Sequence, residues 1–405
     1  MLSILINMYA CAPGKGSEPG LGWNWVINLA EKCEVFVITE GEWRPEIEDA
    51  LKNHPQKKRI HFYYNPLSEK VRKMCWNQGD WRFYYYYKRW QKKTLNIALD
   101  IIENNHIDII HQFNMIGFRE PGYLWKIKEK PFVWGPVDAK ENFPVAFLQD
   151  ADIKTYFKTY LKNYITKLQL KRSRRVRNAV GNAKYVVAAS SESILSFKKY
   201  FGIDSIIINE TGCYTDNTTK IKLVNEKTLH LLWVGKFEFR KQLQLALKIM
   251  TGLKDLEIKL HIVGGKKDEE EKYKTLTKGL GISEQCIWHG ILPHIEVQQL
   301  MQTSDMFLFT SVAEGTPHVV MEALGNNLPI ICFDCCGHGD SVSEDVGIKI
   351  ALSNPEQAIK DFVEKISFVY YNREILKQMS KNCKNRQQEL SWESKILKMY
   401  NLYSS

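Results

Sequence analysis

No apolar run in the 405 residues approaches the ~18 that a membrane-spanning helix needs, so a membrane-crossing class is excluded on pattern. The opening MLSILINMYA has neither a basic leader nor a small-residue cleavage pattern, and it reads as a first strand rather than a signal peptide. The nine cysteines are odd in number and scattered, without the spacing of a disulfide framework, which implies reduced thiols and a cytoplasmic chain. Cys332, Cys335, Cys336 and His338 lie close together in sequence. They fall where a buried strand runs into a glycine turn, whereas structural zinc sites usually show two separated ligand pairs, so no bound metal is expected. Low hydrophobicity is also missing: with 44% hydrophobic and 25% charged residues the chain is an ordinary globular one, long enough for two or three domains.

What is present begins with charge. Residues 1–210 hold 32 Lys and Arg against 22 Asp and Glu, and residues 211–405 hold 24 of each, so the net charge of +10 belongs to the first half. It is densest in FKTYLKNYITKLQLKRSRRVRNAV, residues 157–180, and in WNQGDWRFYYYYKRWQKK, residues 76–93, where basic and aromatic side chains interleave. Such stretches suit a solvated helix face, an anionic membrane surface or nucleic acid.

Apolar, β-rich runs alternate with helical stretches. Strands are expected at 3–8, 34–39, 107–111, 131–134 and 185–189, with helices at 22–31 and 93–104. After Asn209 the pattern restarts, with strands at 229–234, 258–263, 287–289, 306–309 and 329–333 separated by helices at 242–253, 270–279, 295–301 and 317–324. Beyond about Asn354 the chain reads as helix. Alternation of this kind means parallel sheets covered on both faces, and the restart means two α/β, doubly wound domains, 1–210 and 211–385, joined by the polar segment 210–227. Such domains bind ligands outside the carboxyl ends of their strands, so a facing pair forms a cleft.

The stretch SVAEGTPHVVMEAL, residues 311–324, places Glu314 before an expected helix and Glu322 within it, among Val319, Val320, Met321, Ala323 and Leu324. Thr316 and Pro317 read as cap and first helical residue. A buried carboxylate needs a partner, and a vicinal diol, which donates hydrogen bonds, supplies one. The strand at 229–234 ends in VGKFEFRKQ, which brings Lys236, Arg240 and Lys241 to a strand's carboxyl edge ahead of a helix start, a place suited to a diphosphate.

In the first half, strand 3–8 runs into ACAPGKGSEPGLGWNW. Gly14 and Gly16 begin a dinucleotide-type pattern, and Glu40 sits where a ribose-binding acid would stand, but the third glycine, Gly20, comes one residue late. His111, closing the strand at 107–111, is a candidate for contact with substrate or for proton donation, with Asn114 and Arg119 beside it.

TSVAEGTPHVVMEALGNNLPII resembles the acid-x7-acid signature of the retaining glycosyltransferases of family 4, which have the GT-B fold of two Rossmann-like domains across a cleft. LLWVGKFEFRKQLQLALKIM, the segment LHIVGGKKDEEEKYKTLTKGLGISEQCIWHGILPHIEVQQLMQTSDMFLFTS and the closing SWESKILKMY are similar to that family's other blocks, in the same order. GKGSEPGLGWNW, DIIHQFN and PFVWGPV resemble a subgroup associated with surface-polysaccharide assembly.

The resemblance implies that Glu322 binds the nucleotide ribose and that Glu314 lies beside the transferred sugar. It implies that Gly315, Thr316, Pro317 and His318 meet the sugar and distal phosphate, and that Lys241 pairs with the diphosphate. His289 to Leu292 would border the base, and the Gly14–Gly20 loop would approach from the other wall. Lys236 stands where the family usually has arginine, with Arg240 placed to share that role, and Gln242 where it usually has glycine. Residues 386–405 would form a final helix crossing back to the first domain. No metal or other cofactor is implied, and no Asp-x-Asp metal motif appears.

The expected activity is retaining, metal-independent transfer of a sugar from a nucleotide-diphosphate-sugar donor to a glycan or lipid-linked glycan acceptor. The leaving phosphate helps to deprotonate the acceptor hydroxyl, and His111 is a candidate helper. The site is expected in the cytoplasm or at the inner face of a membrane, with no nucleic-acid partner. A nucleotide-sugar epimerase and a non-catalytic nucleotide-sugar binder are the alternatives.

Overall fold

In the computed structural model, which describes residues 1–76, 82–113, 115–214, 227–315 and 317–405, the apolar runs become two all-parallel sheets. Asn114, Thr316 and most of the 210–227 segment therefore lie outside the described residues. The first compact unit comprises Met1–Glu141, Ile165–Glu210 and Trp392–Ser405, and the second comprises Asn142–Tyr164 and Thr211–Ser391.

The first unit carries β1 (Ser3–Asn7), β2 (Glu34–Thr39), β3 (Ile60–Tyr64), β4 (Ile109–Gln112), β5 (Phe132–Val137), β6 (Tyr185–Ala188) and β7 (Ile206–Ile207), ordered β3-β2-β1-β4-β5-β6-β7. The second carries β8 (Leu229–Val234), β9 (Ile258–Val263), β10 (Cys286–Gly290), β11 (Met306–Phe309), β12 (Ile330–Phe333) and β13 (Gly347–Ile350), ordered β10-β9-β8-β11-β12-β13. Central strands such as SILIN, FVWGPV and MFLF are buried at every residue, because helices cover both faces and leave no place for alternating polar positions. The short or half-buried edge strands β3, β7 and β13 lack that continuous apolar signal, and the sequence pattern passes over them.

The helix Ser17–Leu29 starts five residues before the expected Gly22. Its first turns contain the glycines that read as loop, and these serve packing: a Cβ on Gly20 would lie 1.8 Å from the Lys15 carbonyl oxygen, and one on Gly22 would lie 2.2 Å from that of Ala10. The loop thus folds down onto its own helix. The last helix, Trp392–Ser404, places Trp392, Ile396, Met399 and Tyr403 in the core of the first unit, with the Trp392 and Trp25 rings edge to face at 5.7 Å.

Two histidine arrangements follow from the sheets. His111, on β4, is wholly buried, with Nε2 2.6 Å from the Gly135 carbonyl and Nδ1 2.6 Å from the Tyr403 hydroxyl. A carbonyl only accepts, so Nε2 carries the proton and Nδ1 accepts from tyrosine, which fixes a neutral tautomer. Burial, opposed by the bond to Gly135, pushes this imidazole down to about 4. The expectation that His111 reaches substrate is corrected accordingly: both ring nitrogens are engaged inside the core.

In the second unit His230, His261 and His289 stand side by side on β8, β9 and β10. They form a chain, with His230 Nδ1 3.0 Å from His261 Nε2 and His261 Nδ1 2.9 Å from His289 Nε2. Burial, then the neighbouring His289 and His230, push His261 down to about 4.

For both His111 and His261 the folded pKa lies below the unfolded value near 6.5, so their contribution to stability is complete above about pH 6.5 and is lost as pH falls toward 4. Urea midpoints between pH 7 and 4 should fall, with a slope of up to about 1.4 kcal/mol per pH unit for each histidine. His261→Gln should flatten that slope, and an unchanged slope would remove the histidine chain from the account.

Candidate functional site

β8 and β11 are neighbours in the second sheet although far apart in sequence, and their connections depart to opposite sides, β9 lying beyond one and β12 beyond the other. At such a switch point the loops after the two strands separate and leave a crevice at the carboxyl edge. The loop after β8 carries Lys236, Arg240 and Lys241, and the loop after β11 carries Thr310 to Gly315. Backbone and hydroxyl groups join them: Val312 N donates to Arg240 O at 3.0 Å, Ser311 Oγ to Arg240 O at 3.1 Å, and Thr310 Oγ1 to Lys241 O at 2.9 Å. Thr310 Oγ1 in turn accepts from the buried Trp233 indole at 3.0 Å. On the β9 side, Gly264 at φ +120° is needed because a Cβ there would lie 2.0 Å from the Gly235 carbonyl.

These bonds fix the charges. Lys241 Nζ lies 2.5 Å from Glu314 Oε1, Arg240 Nη1 pairs with Glu314 Oε2, and the Ser311 hydroxyl, whose single proton is shared between the Arg240 carbonyl and this carboxylate, lies 2.9 Å from Oε1. Arg240 also donates to the Ala313 carbonyl at 3.1 Å and to Glu238 at 2.7 Å. The Glu314 side chain is 10% exposed and that of Lys241 12%, so the pair is nearly desolvated. Burial pushes Glu314 up, but Lys241 and Arg240 outweigh it and hold the carboxyl below its ordinary value. Burial pushes Lys241 down despite Glu314, with Arg240 adding to the fall. The ammonium also sits over the Phe309 ring, 5.2 Å from its centroid.

Lys236 is exposed on the same loop. Gln242 adopts φ +54°, a left-handed conformation that glycine enters freely and other residues enter at a cost of roughly 1–2 kcal/mol.

The helix after Glu314 runs His318–Gly325 with Pro317 as its cap, one residue later than the sequence suggests. Pro317 has no N–H and offers no donor at this helix start, where Gly315, His318 and Val319 carry amides. His318 is half-buried, its Nδ1 3.2 Å from Thr211 Oγ1, and burial pushes its imidazole down against the opposing charge of Glu322. Val320, Met321, Ala323 and Leu324 are buried as expected, but Glu322 keeps 33% side-chain exposure and lies 3.4 Å from His294 Nε2. The expectation of a buried Glu322 is thus corrected: this position looks out of the apolar face. Gln298, 3.3 Å from His294 Nε2, ties the group to Asn326 at 2.5 Å.

Among the described residues one group has metal-ligand character: Cys335, Cys336 and His338, whose donor atoms lie within 4.8 Å of one another. Cys336 Sγ accepts the Glu314 amide at 3.4 Å, so this buried cluster backs the acid rather than opening to the crevice.

In the first unit the switch point lies between β1 and β4. Gly14, at φ +65°, and Gly16 lead into the helix there, in open surroundings. Glu40 does not await a ribose: it accepts two bonds from Arg72, at 2.9 and 3.0 Å, and the amides of Leu67 and Glu42. Arg119 donates to Gln169 and Thr166. A residue the sequence pattern did not single out is Glu18, in the first turn of the helix Ser17–Leu29. Its Oε2 is buried with no hydrogen-bond partner, and burial, opposed by the Ile116 amide, pushes its carboxyl up to about 7. No sequence signal separates this glutamate from a capping one.

Two outcomes are expected. In a double-mutant cycle, Lys241→Met and Glu314→Gln should show a coupling of about 1–3 kcal/mol in urea unfolding, and additivity would mean that the pair is not formed in solution. Because the folded pKa of Glu18 exceeds the unfolded one, its cost to stability grows as pH rises from about 4.5 to 7. Glu18→Gln should therefore stabilise the fold at pH 8 by about 1 kcal/mol or more and leave it unchanged near pH 4.

Residues 215–386 match the family described as glycosyl transferases group 1. The lipopolysaccharide 1,6-galactosyltransferase of Salmonella typhimurium (strain LT2) is 33% identical over 149 residues, 36% of this chain and 40% of that protein. The matches to the first curated relatives span 34–40% of their lengths. Among solved structures, the lipopolysaccharide outer core galactosyltransferase WaaB in its apo form superposes with a TM-score of 0.64 at 18% identity, over 99% of each chain. Anabaena Alr3699/HepE in complex with UDP superposes with a TM-score of 0.62 at 13% identity, over 100% of each. The chain thus has the two Rossmann-like parallel-sheet domains of GT-B glycosyltransferase structures, and its residues 215–386 are similar to the glycosyl transferases group 1 family.

Proposed function

We propose that the protein is a retaining glycosyltransferase that moves a sugar from a nucleotide-diphosphate-sugar to a hydroxyl of a glycan, free or lipid-linked, in surface polysaccharide or glycolipid assembly. The observation that carries this reading is the constellation at the β8/β11 switch point. Two cations share one acid on rigidly joined loops, and a helix start and a second, half-exposed acid follow within one segment. The relatives above bear the names of lipopolysaccharide galactosyltransferases, and one structure of the same fold holds UDP, which supports a nucleoside diphosphate as the leaving group.

In this reading Lys241 and Arg240, whose charges Glu314 and Glu238 balance, serve the donor diphosphate, with Lys236 adding a further positive charge at the margin. Glu322 accepts from the ribose diol, a role its exposure permits. Glu314, held ionised, lies beside the sugar, and the amides of Gly315 and His318 face the sugar and distal phosphate. Gly14 and Gly16 offer close backbone approach on the first unit. The bond from the anomeric carbon to the diphosphate breaks with its electron pair going to phosphate, the acceptor oxygen bonds to the same face, and its proton passes to the departing phosphate. Fixed cations and amides stabilise charge as it develops on that phosphate. No metal is assigned a part. A lipid-linked acceptor places the reaction at the inner face of a membrane.

The test is a thermal-shift panel of UDP, GDP, ADP, CMP and NAD on the wild type and on Glu322→Ala. One nucleoside diphosphate at about a hundred times its Kd should stabilise the fold by ~2.7 kcal/mol, and the substitution should abolish the shift. A response to NAD alone, or a variant that responds like the wild type, would overturn the assignment.

A further inference from the structure

The two basic-aromatic stretches that look alike in sequence part company in the fold. In the helix Arg82–Asn104 the aromatic residues Phe83, Tyr87 and Trp90 are buried in the first unit's core, and only the adjacent Tyr84 and Tyr85 are exposed among its described aromatic residues, so packing accounts for most of them. In the helix Ile153–Arg172 they are not. Over residues 153–164, which belong to the second unit, Ile153, Phe157, Tyr160, Leu161 and Tyr164 are 57–78% exposed.

Their spacing, i, i+4, i+7, i+8 and i+11, gathers them into one stripe along the helix. The side turned to the protein is the polar one. Thr155, Thr159 and Asn163 are half-buried, and Asn163 accepts from Phe143 N and donates to Phe143 O, each at 2.9 Å. These two bonds hold the rotation of the helix. Its amphipathicity is therefore inverted relative to a helix that packs on a core, with the apolar face outward.

We propose that residues 153–164 are an interfacial anchor that docks this chain on an anionic lipid bilayer. Charge identifies the occupant. The twenty residues Ile153–Arg172 contain six Lys and Arg and no Asp or Glu, and Lys154, Lys158 and Lys162 line one flank of the stripe. An apolar face edged by cations lies in a bilayer interface with its rings at the acyl boundary and its ammonium groups among lipid phosphates. A nucleic-acid groove instead puts the cations at its centre, along the phosphate track. The proposal names the surface a lipid-linked acceptor requires, yet it does not depend on glycosyl transfer.

Flotation of the full chain with phosphatidylcholine vesicles containing roughly 30% phosphatidylglycerol, against phosphatidylcholine alone, tests it without any sugar donor. Binding is expected to the anionic vesicles and to weaken as salt rises from about 0.05 to 0.5 M. Phe157→Ser combined with Leu161→Ser, and separately Lys154→Gln combined with Lys158→Gln, should each reduce it at least about tenfold. Both pairs are surface changes, and an unchanged urea midpoint confirms that each variant is folded.

No binding by the wild type at low salt, or undiminished binding by the Phe157/Leu161 variant, overturns the anchor. So does a light-scattering dimer that the same variant abolishes, which makes the stripe a self-interface. Retention of a single-stranded polynucleotide in place of vesicles also overturns it. In each case the nucleotide panel above is unaffected, so the two readings fail separately.

Discussion

A carboxylate almost out of water has to be paid for, and Glu314 is ionised only because Lys241 and Arg240 reach it from the neighbouring loop. That requirement disciplines the surrounding structure. The cations meet the acid only while the ends of β8 and β11 are joined by the bonds from Thr310, Ser311 and Val312 to the carbonyls of Lys241 and Arg240. Thr310 is held in turn by Trp233 in the core. The site is thus an extension of sheet geometry, and its electrostatics are as rigid as the strands that carry it.

The left-handed Gln242 fits this picture. A chain that leaves a strand, places two successive cations toward a neighbouring loop and then enters a helix has to reverse sharply, and the reversal falls at φ +54°. Lys241 on one side of that turn points into the cluster, while Leu243 on the other begins a helix buried against the sheet. The local strain is offset by the bonds it makes possible.

Much of this was legible in the sequence because it depends on neighbours along the chain. Strands β2, β8, β9 and β11 have the ends their apolar runs predict, and loops following strand ends gather where parallel topology puts them. What was hidden depends on distant residues. His111 reads as a strand-end histidine, yet Tyr403, almost three hundred residues on, closes its environment. Glu40 reads as a ribose ligand until Arg72 consumes it. Glu322 sits in an apolar run, but whether its own face is covered is decided by His294 and the helix that bears it. The helix Ile153–Arg172 has a strong pattern whose direction is inverted, and only Asn163's grip on Phe143 shows which side faces out.

The helix Trp392–Ser404 has a consequence for the order in which the molecule is made. Its four inward side chains complete the core around Trp25 and β4, which belong to the earliest part of the chain. A polypeptide emerging from the ribosome at about 5–20 residues per second has the first sheet long before it has this helix. Through that interval the first unit carries an open apolar seam, while residues 211–391 already contain every strand of the second sheet. Completion therefore runs against the direction of synthesis: the unit begun first is the last to be sealed.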